Sequence, residues 1–179
     1  MKKNSETELS GLELDATPVL AATILSDLPP LVEPLVAAKE ISFSMDCADE
    51  SVVALGDREK ILQILTNLVT NAVRATAKGG RITVRCVNAD DTVDFCVDDT
   101  GVGIPAEKLD HIFSPFVQLG RSLNNPGEGV GLGLAISRDF AKAMGGSLSA
   151  TSALGEGSTF TLRLPRSQAR ELESSVGQR

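Results

Sequence analysis

The hydrophobic pattern of this chain switches between two periods. After Asp57, the apolar residues Ile61, Ile64, Leu65, Leu68, Ala72 and Ala75 recur three and four positions apart, which predicts one long amphipathic helix. Asp57 can cap its first turn, and the run AKGG at 77–80 closes it, because glycine takes the left-handed conformation that ends a helix. Beyond that point the period drops to two. RITVRCVN (81–88) and DTVDFCVDD (91–99) alternate apolar and polar residues across a short turn containing Asp90 and Asp91, which predicts an antiparallel hairpin. A Pro-initiated short helix is expected at PAEKLDHIF, and a longer one from about Leu132 to Met144, capped by Gly145 and Gly146. SLSATSAL and STFTLRLP, joined through Gly155-Glu156-Gly157, predict a second hairpin. Upstream, residues 16–38 read as helix interrupted near Pro29 and Pro30, followed by short strands at ISFSMD and SVVALG. Locally paired strands with grouped helices predict an α+β fold, a two-layer sandwich rather than a βαβ winding.

The size, 179 residues, suits one domain with short loose ends. Residues 1–12 are polar, and 166–179 lack a hydrophobic period, so both are expected to be flexible around a domain at 13–165. A net charge of −7 with no basic patch argues against nucleic-acid binding. No apolar run approaches the ~20 residues that span a bilayer, and MKKNSETELS is not followed by a signal core, so the expected compartment is cytoplasmic, with no membrane contact by this chain. Cys47, Cys86 and Cys96 form no CxxC pair and the single histidine is His111, which disfavours a zinc site and leaves buried thiols as the simple reading.

Three places carry candidate chemistry. Alternation puts Asp99 on the strand face of Val93, Phe95 and Val97, so its carboxylate points inward. An ionised carboxylate only accepts hydrogen bonds, which suits the exocyclic amine of adenine and would repel the guanine carbonyl. Gly101 and Gly103 would let backbone approach a flat base, although DTGVG alone also describes a strand ending in an Asx turn. On the long helix Asn67, Asn71 and Arg74 fall at i, i+4 and i+7, on a stripe ~110° from the centre of the apolar face at about 100° per residue. Two amides and a guanidinium there could seat a magnesium triphosphate, or form an ordinary solvated flank. In NNPGEGVGLGLAISRDF, Gly127, Gly129, Gly131 and Gly133 precede or open a helix, which fits a phosphate cradle or a lid. No GxxxxGK[ST] or strand-borne GxGxxG occurs, so P-loop and Rossmann sites are disfavoured.

NLVTNAVRAT, DDTGVGI, HIFSPF, GEGVGLGLAI and GEGSTF resemble, in order, the N box, first glycine box, F box, second glycine box and third glycine motif of the ATP-binding catalytic domain of sensor histidine kinases. These belong to the wider group with gyrase, Hsp90 and MutL. The resemblance covers roughly residues 13–165 and implies a Bergerat-type fold, a mixed sheet covered on one face by helices. It implies Mg²⁺ and ATP as ligands, with Asp99 accepting from the adenine amine, Asn71 on Mg²⁺, Asn67 on a nearby or Mg-bound water and Arg74 on phosphate. Gly129, Gly131, Leu132 and Gly133 would supply lid hinge and phosphate amides, Phe113 and Phe116 would pack the lid's near end, and Thr159 would support Asp99. Asn67 stands where the gyrase branch carries a glutamate base; an amide takes no proton at neutral pH, so transfer to a histidine is the implied activity. That acceptor would lie on a separate dimerisation domain, His111 being part of the F box, and a response regulator would act downstream. A conformationally coupled ATPase, a non-catalytic nucleotide module and a serine kinase of the anti-sigma type remain alternatives.

Overall fold

The structure, a computed structural model, describes residues 14–117 and 131–167. The expected loose segment 1–12, most of the glycine-rich stretch including Gly127 and Gly129, and residues 168–179 lie outside the described residues. The chain runs β1 (Thr17–Leu20), α1 (Ala21–Asp27), α2 (Pro29–Ala38), β2 (Ser42–Cys47), β3 (Val53–Gly56), α3 (Arg58–Ala75), β4 (Arg81–Ala89), β5 (Thr92–Asp99), α4 (Ala106–Leu109), α5 (Gly133–Ala143), β6 (Ser147–Ala153) and β7 (Gly157–Pro165).

One five-stranded sheet, in the order β2-β4-β5-β7-β6, forms one layer. β2 lies parallel to β4 and every other pairing is antiparallel, so the sheet is mixed. The helices pack on one face of it. α3 carries most of that packing, with Ile61, Ile64, Leu65, Leu68, Val69 and Ala72 buried against inward residues such as Ile82, Phe95, Val97 and Leu162. Each such side chain taken out of water contributes about 1.5–3 kcal/mol. The Asp57 cap forms as its sequence suggests, with Oδ1 accepting from the Lys60 N–H at 3.1 Å. The opposite sheet face is polar and laced by ion pairs, Arg85 on Asp98 and Arg163 on Asp94. Among the described residues no single helix is long and apolar enough to cross a membrane.

Three expectations change and one holds. Thr17–Leu20 is strand, not the start of a helix: it pairs antiparallel with β3, and the helical pattern begins only at Ala21. The break expected near Pro29 and Pro30 is a 45° bend between α1 and α2. Arg166 and Ser167, placed in the loose tail, are tied down, since the Arg166 N–H bonds the Asp91 carbonyl and the Ser167 N–H bonds that of Val53 at 2.8 Å. The helix expected over PAEKLDHIF is α-helical only at Ala106–Leu109, and His111 is exposed in the turns that follow.

Candidate nucleotide-binding site

β5 is the middle strand of the sheet, and its inward residues Val93, Phe95 and Val97 are fully buried. Asp99 continues that row and is 7% exposed. Its Oδ1 accepts the Gly101 N–H at 2.8 Å, so the chain turns back immediately under its own carboxylate. Burial pushes the Asp99 pKa above its ordinary value, opposed by the N–H groups of Gly101 and Ser158 and reinforced by the neighbouring Asp98 charge. A Cβ on Gly101 would lie 2.6 Å from Asp99 Oδ1 and 2.8 Å from the Ala75 carbonyl, so only glycine lets the β5 end and the last turn of α3 meet. The Val102 N–H completes this junction on the Ala75 carbonyl, and Gly103 packs against the Ala153 carbonyl.

On α3, Asn67 and Asn71 are half-buried and Arg74 is exposed. Asn67 and Arg74 line, with Leu62, Thr66 and Thr70 of α3 and Leu31 of α2, an open groove of about 510 Å³ along α3. Asn71 is not in that lining; it sits four residues before Ala75, one turn from the Asp99 junction. Asn67 Nδ2 donates to the buried Ser137 Oγ of α5 at 3.0 Å, and its Oδ1 lies where a Cβ on Gly133 would come within 2.5 Å. The absence of a side chain at the first residue of α5 therefore brings that helix terminus onto the Asn67 amide.

The glycine-rich segment enters and leaves at one place. The Phe116 N–H bonds the Gly131 carbonyl at 3.0 Å, and Leu132 follows as the residue that caps α5. Phe113 is buried edge-on to Phe160 with centroids 6.4 Å apart, and the Arg138 guanidinium lies 5.5 Å over its ring. The F-box region is thus anchored to β7 through Phe113. Phe116 is 71% exposed with a positive φ of 65°, and the segment whose near end it was expected to pack lies outside the described residues.

Thr159 also requires correction. β7 pairs with β5 so that Ser158 faces Asp99 and Thr159 faces Asp98. Alternation then puts Thr159 on the outer face, where its Oγ1 bonds Asp98 Oδ1 at 2.6 Å. Burial would raise the Asp98 carboxyl, but hydrogen bonds from Arg85 and Thr159 outweigh it and hold the pKa below the usual value. Ser158, 7% exposed, is the residue beside Asp99, and Ser152 braces it from β6 by an Oγ to Oγ contact of 3.0 Å. Ser158, Ser152 and Ser137 were not singled out from sequence; the one available signal was that Ser158 directly follows Gly157.

The donor set is coherent for a purine nucleotide. A buried carboxylate sits beside a glycine that lets the end of β5 and the last turn of α3 meet, with Arg74 in that turn, the Asn71 amide one turn back and the Asn67 amide two. Amide oxygens suit a hard cation that keeps several waters, whereas no group of three or more His, Cys, Asp or Glu side chains occurs among the described residues. Comparison with known proteins agrees. The family of histidine kinase-, DNA gyrase B- and HSP90-like ATPases matches residues 56–168. The aerobic respiration control sensor protein ArcB of Escherichia coli (strain K12) is 39% identical over 162 residues, 88% of this chain and 20% of ArcB. Full-length ShkA in complex with AMPPNP superimposes with a TM-score of 0.78 at 31% identity, over 89% of this chain and 33% of ShkA. The catalytic domain of histidine kinase ThkA does so with 0.73 at 27% identity, over 87% of this chain and 98% of that one. The chain spans 20–31% of the length of the first curated relatives it matches. By the match over 56–168, and with sensor histidine kinases as these relatives, the chain belongs to the histidine kinase-, DNA gyrase B- and HSP90-like ATPase family.

Proposed function

We propose that this chain is the catalytic domain of a sensor histidine kinase, spanning residues 13 to about 167, that binds Mg-ATP and passes its γ-phosphoryl group to a histidine on a separate phosphoacceptor and dimerisation domain. The observation that carries the ATP reading is the buried Asp99 carboxylate, held by backbone N–H groups at the end of the central strand with a glycine beneath it. Asp99 accepts from the adenine amine, and Ser158 rather than Thr159 supports it. Asn71 offers Mg²⁺ an oxygen, Arg74 holds phosphate oxygens, and the amides around Gly129, Gly131, Leu132 and Gly133 receive the remaining phosphate charge. Bound Mg-ATP supplies the transferable phosphoryl group and part of the charge neutralisation that such a transfer needs.

Asn67 favours transfer over hydrolysis. Its amide nitrogen is taken by Ser137 and its oxygen carries no basic lone pair of catalytic strength, so the chain has no general base for water there. The accepting imidazole brings its own nucleophilicity. Two-component signalling through a response regulator follows by analogy with ThkA, solved in complex with the response regulator TrrA. The cytoplasm, where ATP is abundant, is the compartment this reading requires. Calorimetric titration with AMPPNP and Mg²⁺, run beside GMPPNP, tests it: adenine-selective binding with negligible steady-state hydrolysis of ATP is expected. Failure to bind AMPPNP removes the reading, and rapid hydrolysis replaces it with the coupled ATPase.

A further inference from the structure

The last four carbonyls of a helix have no partner within it. In α3 each finds one. The Ala72 carbonyl accepts the Thr76 N–H at 2.9 Å, and that of Ala75 accepts the Val102 N–H at 3.2 Å. The two between them, Val73 and Arg74, both accept from Lys39 Nζ, at 2.7 and 3.2 Å. Lys39 is the residue that ends α2, 34 positions before Val73 in sequence. A cation at a helix C-terminus also meets the negative end of the helix dipole.

The corner that carries Lys39 is itself gripped. Glu40 takes a φ of 53°, a left-handed conformation costly for a residue with a side chain, which persists only where its surroundings fix it. Those surroundings are the turn after α3: the Gly79 N–H bonds the Glu40 carbonyl at 3.1 Å, the Ser42 N–H bonds that of Gly80 at 2.9 Å, and Lys78 pairs with Glu40 Oε1 at 2.6 Å. The α2 corner and the α3 terminus therefore form one unit, with the Lys39 ammonium at its centre.

We infer that Lys39 is a positioning residue for the phosphate-binding turn of α3, acting through the backbone of Val73 and Arg74 to hold the Arg74 guanidinium at the nucleotide. This rests on the proposed role of Arg74. The Asp99 carboxylate is fixed without Lys39, by its own strand β5, paired on both sides, and by the Gly101 N–H. Loss of Lys39 leaves two carbonyls without their donor and loosens the turn at Arg74, while the base-binding end stays fixed. The consequence is a split between ligands that carry phosphates and those that do not.

The test compares AMPPNP with adenosine by NMR titration of the chain, for the unsubstituted protein, Lys39→Met, Lys39→Arg and Arg74→Ala. Lys39→Met is expected to weaken AMPPNP on the order of tenfold, the scale of lost hydrogen bonds to a charged donor, with adenosine affinity unchanged. Lys39→Arg, which keeps a long cationic donor, is expected to restore most of the loss. Lys39→Gln, with one shorter neutral donor, gives an intermediate value and substitutes for Lys39→Met if that variant does not fold. Unaltered AMPPNP affinity in Lys39→Met overturns the inference. So does equal weakening of AMPPNP and adenosine, which marks a merely structural role. If Arg74→Ala leaves AMPPNP affinity intact, the reading of Arg74 falls, and the inference with it.

Discussion

Replacing Asp99 by asparagine separates binding from folding, because the two are expected to move in opposite directions. The substitution preserves shape and one acceptor oxygen, which can still take the Gly101 N–H bonded at 2.8 Å in the native site. It removes a negative charge whose burial raises the Asp99 pKa, meaning that the folded protein carries the ionised group at a cost. The folded chain should therefore lose nothing in thermal midpoint and can gain. For the nucleotide the effect reverses. With the oxygen committed to backbone N–H groups, the new amide nitrogen faces the adenine amine, donor against donor. The lost bond to a charged acceptor is worth about 1.5–3 kcal/mol, so AMPPNP should bind roughly 10- to 150-fold more weakly. The amide nitrogen can instead donate to a guanine carbonyl, so the preference for AMPPNP over GMPPNP should shrink or invert. Calorimetry with both analogues and a thermal melt of each protein are sufficient. Undiminished AMPPNP affinity, or a loss of affinity accompanied by a fall of many degrees in the melting midpoint, would show that the carboxylate is structural and refute the reasoning.

Further outcomes follow from the same geometry. An adenine amine stabilises the ionised carboxylate, so binding lowers the Asp99 pKa and releases a proton; affinity should be full at neutral pH and fall as pH drops through a value above the ordinary 3.8. Calorimetry across pH should show this loss in the native chain and a flat response in Asp99→Asn. Without nucleotide the sign is opposite: a raised folded pKa means that the Asp99 contribution to stability improves as pH falls from that value toward 3.8. Asp98→Ala, on the outer face, removes a partly exposed pair with Arg85 and should cost no more than ~1 kcal/mol in urea unfolding with unchanged AMPPNP affinity. Because its pKa is lowered, Asp98 contributes above 3.8 and that contribution fades as pH falls through the depressed value. In Gly157→Ala the new Cβ would meet the Asp99 carbonyl oxygen at 1.9 Å on backbone with φ 96°. Strain and overlap together should cost at least ~2 kcal/mol in the urea midpoint and weaken nucleotide binding too.

The elements that sequence disclosed were those whose pattern is local and repeated. Asp57 and the run from Ile61 to Ala72 specify α3 almost to the residue, and the two hairpins follow from period two and their turn residues. Thr17–Leu20 was hidden because four residues hold too little period, and its partner Val53–Gly56 lies more than thirty positions away. Asp99 was legible because its own strand carries the alternation that points it inward. The role given to Thr159 failed because inward direction on β7 depends on which residue pairs with Asp99, and a register between strands some sixty positions apart is not written in either one. The same holds for Asn67 with Ser137, seventy positions apart, and for Arg166 and Ser167, whose backbone bonds to Asp91 and Val53 leave no trace in side-chain pattern. Motif order pointed to a candidate site; the partners that aim each motif came from pairings at long range.

The bond between the Phe116 N–H and the Gly131 carbonyl has an evolutionary consequence. It fastens the two ends of the glycine-rich stretch to each other, with Phe113 buried against β7 on one side and α5 starting on the other. Chain inserted or deleted between those ends does not alter the distance that must be bridged, and each doubling of such a loop costs only about 0.6 kcal/mol. A change in the number of residues between 117 and 131 is therefore expected to leave the Phe116–Gly131 closure, Phe113 against β7 and the start of α5 where they are, so that a lineage can vary length there without displacing these anchors.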